Sequence, residues 1–333
     1  MSRSEFPPSP FTIADAAAIG ITERNLRTLR RNRVIERDRN GLYFRPDAFA
    51  ELTPVQRHIA VALKVQAGLA GEFVLGGHTA AAFLGLWTPD AWNERSRPVC
   101  LYALDNRNAQ VRKDLHVLAT SLLVSDTIRM HGVRVTSIAR TAMDLARGRD
   151  LPWALIPMDS ALRLGASRDT LQRMLERMHR WPGTRGLPRA IDAADGRSES
   201  ALESRSRGVF LEMRMPSPLL QQWIAGASGR EYRVDFAWPE ARLVGEADGW
   251  GKFGESEDAW RAAYRSEKLR EDDLRAGGWT VVRWTFETLH PMARHLARLL
   301  ERPRHGPKPP TSRRFPPLRT PQSDGKHQGV DER

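Results

Sequence analysis

The chain has 333 residues, of which 41% are hydrophobic, which is enough for packed cores in about two or three domains. No apolar run approaches the length of about 18 residues that a membrane span requires, and the N-terminus lacks the apolar segment of a signal peptide. A single cysteine excludes an intrachain disulfide and a cysteine-based zinc site. We therefore expect a soluble, cytoplasmic protein with no membrane partner.

The net charge of +12 is concentrated in two segments. Residues 11–45 carry eight arginines against four acidic residues, and residues 302–333 carry eight lysines and arginines against three. This localised excess favours a polyanionic partner such as nucleic acid, although a generally basic proteome would also explain it. Because the second segment holds seven of the 22 prolines, we predict a disordered Pro/Arg-rich tail over residues 303–333.

Residues 1–45 are predicted to form a winged helix-turn-helix. A short Ala-rich helix begins after Thr12, and a second, Arg-rich helix begins after Thr22. Two short strands around an Asn40-Gly41 turn follow. The second helix is suited to enter the major groove of double-stranded DNA, and the alternative is a surface helix of a protein-interaction domain. The arginines predicted to bind DNA are Arg24, Arg27, Arg30, Arg31 and Arg33.

Residues 46–195 are predicted to form a mixed α/β middle domain that acts as a scaffold. Helical and strand patterns alternate there, without a glycine-rich phosphate loop or a Ser/His/Asp spacing. His78, at a predicted helix start, is interpreted as structural in preference to a ligand. Asp144 and Asp159 lie within predicted helices, as caps, ion-pair partners or surface charges. An enzyme of small molecules or nucleotides centred on this segment is therefore the last-ranked hypothesis.

Acidic residues of the segment 200–302 carry the strongest chemical signal. Glu203 lies in a predicted helix, Asp235 in a strand, and Glu246 and Asp248 in the next strand, after a tight turn. Since side chains alternate along a strand, Glu246 and Asp248 share a face, and the hairpin brings Asp235 close to Glu246. Glu203 can approach from the flanking helix.

Carboxylates at such distances resist joint ionisation, and a hard divalent cation removes the conflict. The pattern predicts a magnesium site formed by Asp235, Glu246 and Asp248, at which Mg²⁺ polarises a phosphodiester and activates water. Lys252 would orient the water or neutralise the transition state. Arg283, in a later strand, is a further predicted DNA-binding residue, and it faces either solvent, a DNA phosphate or the carboxylates. The alternative is a solvated acidic hairpin.

Three segments resemble a known family of nucleases. They are ESALESR at 199–205, YRVDFAWPEARLVGEADGWGKF at 232–253 and EKLREDDLRAGGWTVVRWT at 267–285. Together they resemble the very-short-patch-repair-like (Vsr-like) endonuclease domain of the PD-(D/E)XK superfamily. The resemblance implies a restriction-endonuclease-like fold over residues 196–302 and Mg²⁺-dependent cleavage of DNA.

The same resemblance implies roles for individual residues. Asp235 matches the first metal ligand of the superfamily, Glu246 its second acidic position, and Glu203 the helix glutamate of many members. The chain departs from the E-x-K pattern at Asp248, where a lysine is expected. Lys252 takes the place of that lysine from the following turn.

Upstream, GITERNLRTLRRNRVIERDRNGLYF, GGHTAAAFLGL and RVTSIARTAMDLAR resemble the AbiEi-type antitoxin and regulator family. This resemblance implies an N-terminal winged helix that binds promoter DNA, followed by an AbiEi-like middle domain over residues 46–195. The whole chain is then similar to a fusion of the two modules.

These observations lead to two hypotheses for the function of the chain. The first is a DNA-binding, Mg²⁺-dependent endonuclease, in a phage-defence or toxin–antitoxin context. The alternative is an AbiEi-like antitoxin and transcriptional autoregulator whose nuclease fold is inactive, with a cognate toxin as a further partner.

Overall fold

A computed structural model describes residues 10–37, 41–69, 71–89, 97–104, 109–249 and 257–301 of the chain. Residues 1–300 belong to one compact unit, and residues 301–333 belong to a second. The tail predicted over 303–333 and Asn40 of the predicted turn lie outside the described residues.

The described residues form a mixed α/β fold with twelve α-helices and three sheets, as predicted. Across these ranges no helix combines the length and apolar character that crossing a bilayer demands. The helices are α1 (Ile13–Ala18), α2 (Glu23–Arg31), α3 (Pro46–Ala50), α4 (Pro54–Ala67), α5 (Gly77–Leu84), α6 (Ile138–Ala146), α7 (Leu151–Arg163), α8 (Arg168–Met178), α9 (Leu187–Ala193), α10 (Ala201–Glu212), α11 (Glu257–Ala276) and α12 (Leu289–Glu301).

Twelve strands make up the sheets, and β1 and β2 form a two-stranded sheet of their own. Six strands form a second sheet in the order β5-β6-β4-β3-β8-β7, and four form a third in the order β12-β11-β10-β9. The strands are β1 (Glu36–Arg37), β2 (Tyr43–Phe44), β3 (Phe73–Leu75), β4 (Val99–Ala103), β5 (Gln110–Val111), β6 (Leu115–Ala119), β7 (Thr127–Met130), β8 (Val133–Thr136), β9 (Leu219–Ala225), β10 (Glu231–Trp238), β11 (Leu243–Ala247) and β12 (Thr280–Trp284).

The first two helices begin where their capping residues predict. Thr12 and Asp15 form a capping box at α1, and Thr22 and Asn25 form another at α2. Leu26 of α2 is only 1% exposed and lies in a small core with Ala16 of α1, Ile35 just before β1 and Tyr43 of β2. The helix therefore keeps its apolar stripe inside and leaves its arginines outside.

The polar residues singled out in the middle segment take structural partners. The Nε2 atom of His78 donates to the carbonyl oxygen of Pro98 at 2.8 Å. The carboxylate of Asp144 accepts hydrogen bonds from Arg140 and from the hydroxyl of Tyr102, both at 2.8 Å. These contacts agree with the structural roles predicted for His78 and Asp144.

The third sheet lies between two hydrophobic clusters. Strands β9, β10 and β11 are antiparallel neighbours, and β12 is parallel to β11. Successive residues of β12, Val281 and Val282, join different clusters because strand side chains alternate between faces. One cluster includes residues of α10 and α12, and the other includes Leu274 of α11. Gly245 is needed in β11 because a Cβ there would lie 2.6 Å from the ring of Trp284.

Helix α10 packs directly on α7, across the predicted domain boundary at residue 196. A Cβ on Gly208 would lie 2.3 Å from the Cα of Pro152, so only glycine permits this approach. Asp159 of α7 is fully buried, and it accepts a hydrogen bond of 2.6 Å from Arg207 of α10. The third sheet is therefore joined to the middle helices by a close contact, whereas the exact domain limits stay predictions.

Candidate functional site

The first turn of α10 fixes the position of Glu203. The hydroxyl of Ser200 caps the helix by accepting the N–H of Glu203 at 3.1 Å. The Oε2 atom of Glu203 in turn accepts the N–H of Glu199 at 2.8 Å and the side-chain amide of Gln221 at 2.7 Å. Glu203 is 6% exposed, so a carboxyl group is held inside the protein at this point.

The β10–β11 hairpin brings Asp235 and Glu246 to neighbouring strands, as the sequence predicts. Phe236 of β10 pairs with Gly245 of β11, and the next residues along the two strands are Asp235 and Glu246. The Oδ2 atom of Asp235 accepts the N–H of Ala247 at 2.8 Å. Glu246 is 3% exposed, whereas Asp235 is half-buried.

Electrostatic interactions connect Asp235 with both glutamates. Burial, followed by the charge of Asp235, raises the pKa of Glu246 to about 8. The same two causes, in the same order, raise the pKa of Glu203 to about 7. Because one aspartate affects both groups, the three carboxyls form a single electrostatic cluster, with Asp235 interacting with each glutamate.

Strand β10 changes its packing at Asp235. Regular alternation predicts that Val234 and Phe236 point to the same face of the sheet. Instead, Val234 packs in a cluster with Leu274 of α11, whereas Phe236 lies against Phe210 of α10 with ring centroids 5.5 Å apart. The side chains of β10 therefore change faces at Asp235, and the strand does not present one continuous apolar face.

Arg270 of α11 neutralises part of the cluster. Its Nη2 atom donates to Oε1 of Glu246 and to the carbonyl oxygen of Arg233, both at 2.6 Å. Its Nη1 atom donates to Glu267 at 3.2 Å. The buried carboxyl group of Glu246 therefore has a guanidinium partner in the described structure.

Asp248 has a different environment from the one predicted for it. Arg283 donates to both of its carboxylate oxygens, from Nε at 2.7 Å and from Nη2 at 2.8 Å, and a further hydrogen bond joins Arg283 to Glu267. Nowhere in the described ranges do three His, Cys, Asp or Glu side chains group as a cation site would. The three-ligand site of Asp235, Glu246 and Asp248 is thus not assembled there, because a bidentate ion pair holds Asp248.

The carboxylates of Asp235 and Glu246 are a suitable pair of ligands for a divalent cation. Mg²⁺ is usually held by one or two protein carboxylates, and waters and substrate phosphates supply the other ligands. Asp235 and Glu246 provide hard oxygen donors on adjacent strands, and their mutual repulsion is the conflict that a cation relieves. Lys252, the predicted positive partner, lies outside the described residues.

Two residues of this site were missed by the sequence reasoning. Arg270 lies three residues after Glu267, which is the spacing of an ordinary surface ion pair on a helix. Nothing in the sequence distinguishes Arg270 from its charged neighbours. Gln221 belongs to β9, a strand that was not predicted from the sequence, and the feature that marks it is its positive φ of 54°.

The predicted DNA-binding arginines of the first domain are all exposed. Arg27 makes an exposed ion pair with Glu23 at 3.4 Å, with 76% of the arginine side chain in solvent. Arg33 follows the helix with a positive φ of 57°. The exposed set is Arg24, Arg27, Arg30, Arg31 and Arg33.

Comparison with known proteins gives the family of the chain. Over 249 residues, the chain is 31% identical to Uncharacterized protein MT2308 of Mycobacterium tuberculosis (strain CDC 1551 / Oshkosh). It is equally similar to Uncharacterized protein Rv2248 of Mycobacterium tuberculosis (strain ATCC 25618 / H37Rv). The matched region covers 70% of this chain and 85% of each relative. The chain belongs to the family of these two proteins. No family model and no solved structure matches it.

Proposed function

We propose that this chain is a DNA-binding protein whose C-terminal α/β segment hydrolyses phosphodiester bonds with Mg²⁺ as cofactor. The observation that carries the proposal is the position of Asp235, whose charge raises the pKa of both Glu203 and Glu246. A stable core rarely keeps like charges together in a buried place without a use for them, and perturbed pKa values cluster at functional sites.

In this proposal, Asp235 and Glu246 would hold the cation beside the DNA phosphate. When bound, Mg²⁺ supplies polarisation of the phosphodiester and a more acidic water. Glu203, the buried carboxyl group beside Asp235 and Glu246, would accept or return a proton. Arg270 balances the charge of Glu246 and lies near enough to the same carboxylate to stabilise an incoming phosphate.

DNA binding is assigned to the N-terminal segment. Helix α2 buries Leu26 and exposes its arginines, which is the arrangement that a helix needs to meet phosphates and base edges in a major groove. The short antiparallel pair β1–β2 follows it as a wing would. These features support the winged helix-turn-helix of the proposed architecture, in which an AbiEi-like middle domain and a Vsr-like PD-(D/E)XK domain follow.

Nicking of supercoiled plasmid tests the enzymatic part of the proposal. We expect the full chain to nick plasmid with Mg²⁺ and not with EDTA, and Asp235→Asn to reduce the rate by about 100-fold or more because a cation ligand is lost. Asp272→Asn is the matched control, since Asp272 is an exposed residue of α11. Equal nicking by the wild type and Asp235→Asn would contradict the assignment.

The second candidate is an AbiEi-like antitoxin and autoregulator with an inactive nuclease fold. It is favoured by the two arginine pairs, Arg270 with Glu246 and Arg283 with Asp248, which satisfy acidic groups without a cation. Under this alternative, the chain binds its own promoter as tightly in EDTA as in Mg²⁺ and nicks no DNA. A cognate toxin is then a further partner.

A further inference from the structure

Gln221 has an unusual backbone for a residue inside a strand. Its φ is 54°, in the left-handed region that is unfavourable for residues with a Cβ. The ladder between β9 and β10 pairs Gln222 with Val234 and Leu220 with Phe236, and the step between these pairs is missing from the register. That missing step is the one at which Gln221 would face Asp235.

The strained backbone of Gln221 brings its side chain to the cluster of Glu203, Asp235 and Glu246. The side-chain amide of Gln221 donates to Oε2 of Glu203 at 2.7 Å. The N–H of Glu199 reaches the same oxygen at 2.8 Å. Both donors contact the same oxygen, so together they fix the orientation of the carboxyl group of Glu203.

A purely structural role does not explain this choice of residue. Glycine adopts a positive φ without steric cost, so a sequence selected for stability alone would favour glycine at this position. Strain that persists in a well-packed sheet is typical of functional sites, where neighbouring contacts maintain it. The side chain of Gln221 is therefore the reason for keeping a residue with a Cβ here.

We propose that Gln221 is a positioning residue of the cation site, whose strained backbone places its amide on Oε2 of Glu203 and so orients Glu203 beside Asp235. This inference rests on the proposed function, because it places Glu203 beside the pair of Asp235 and Glu246 that would hold the cation. Groups that orient a metal site from outside its ligands typically change metal affinity by about 10- to 100-fold when they are removed.

The test compares two glycine substitutions in the full chain. Gln221→Gly removes both the strain and the amide, and we expect an equal or higher melting temperature together with at least tenfold weaker Mn²⁺ binding by calorimetry. Gln222→Gly is the matched control, since its side chain only donates to the carbonyl oxygen of Leu220 at 2.9 Å. For that variant we expect a lower melting temperature and unchanged Mn²⁺ affinity.

The outcomes separate this inference from the proposed function. If the wild type binds Mn²⁺ and Gln221→Gly binds it equally well, the positioning role is overturned and the cation site stands. If Gln221→Gly loses affinity and melts at a lower temperature, the residue is structural and the inference is also overturned. If the wild type binds no Mn²⁺ and nicks no plasmid, the proposed function fails and the inference fails with it.

Discussion

Asp159→Ala is expected to lower the free energy of unfolding by about 3–5 kcal/mol, because it removes the hydrogen-bonded counter-charge of Arg207, whose side chain is only 11% exposed. Asp159 is fully buried and accepts hydrogen bonds from Arg207 at 2.6 Å, from the hydroxyl of Ser198 at 2.9 Å and from the N–H of Asp195 at 2.8 Å. Such a loss is a large part of the roughly 5–15 kcal/mol that stabilises a typical protein.

Chemical denaturation of the full chain measures the effect, with an exposed ion pair as the control. Glu23→Ala removes the partner of Arg27 on the surface of α2, where both side chains are more than half exposed, and a change below about 1 kcal/mol is expected. A loss under about 1 kcal/mol for Asp159→Ala would show that Arg207 finds another partner. The contact between α7 and α10 would then matter little to the stability of the third sheet.

The free energy of unfolding is expected to fall as the pH rises from about 6.5 to 8. Burial and the charge of Asp235 raise the pKa of Glu246 to about 8 and that of Glu203 to about 7, both from an ordinary value of 4.5. In this window the folded protein holds protons that the unfolded chain has released, so a rising pH favours unfolding. The expected decrease is on the order of 2–3 kcal/mol.

The lower limit of this window is set by His58. Burial lowers the pKa of His58 to about 3, so below its ordinary value of 6.5 it makes stability rise with pH and opposes the glutamates. Melting temperatures between pH 6.5 and 8 therefore report the glutamates. The double variant Glu203→Gln and Glu246→Gln should flatten the slope, and Glu240→Gln, at an exposed turn residue, should not. An unchanged slope in the double variant would contradict the site described here.

Local sequence signals predicted the elements that carry the site. Thr12 and Thr22 begin helices because their hydroxyls cap free N–H groups, and such caps are readable in a single sequence. The proximity of Asp235 and Glu246 follows from two strands joined by a tight turn, which fixes the register over a short distance. These predictions were possible because the residues that interact are close to one another in the sequence.

Such local signals could not predict the contacts between segments that are distant in the sequence. Asp159 meets Arg207 from another helix 48 residues later, and only the packing of α7 on α10 brings them together. Arg270 is surrounded by charged residues on α11, so the sequence does not show which of them contacts Glu246. That contact depends on how the helix packs on the sheet. The positive φ of Gln221 likewise has no marker in the sequence, because glutamine rarely adopts it.

Binding of a divalent cation by Asp235 and Glu246 is tested most directly by calorimetric titration of Mg²⁺ into the full chain at pH 8. Saturable uptake is expected for the wild type and for the exposed control Asp272→Asn, and no uptake is expected for Asp235→Asn. No uptake by the wild type, or equal uptake by Asp235→Asn, would contradict it.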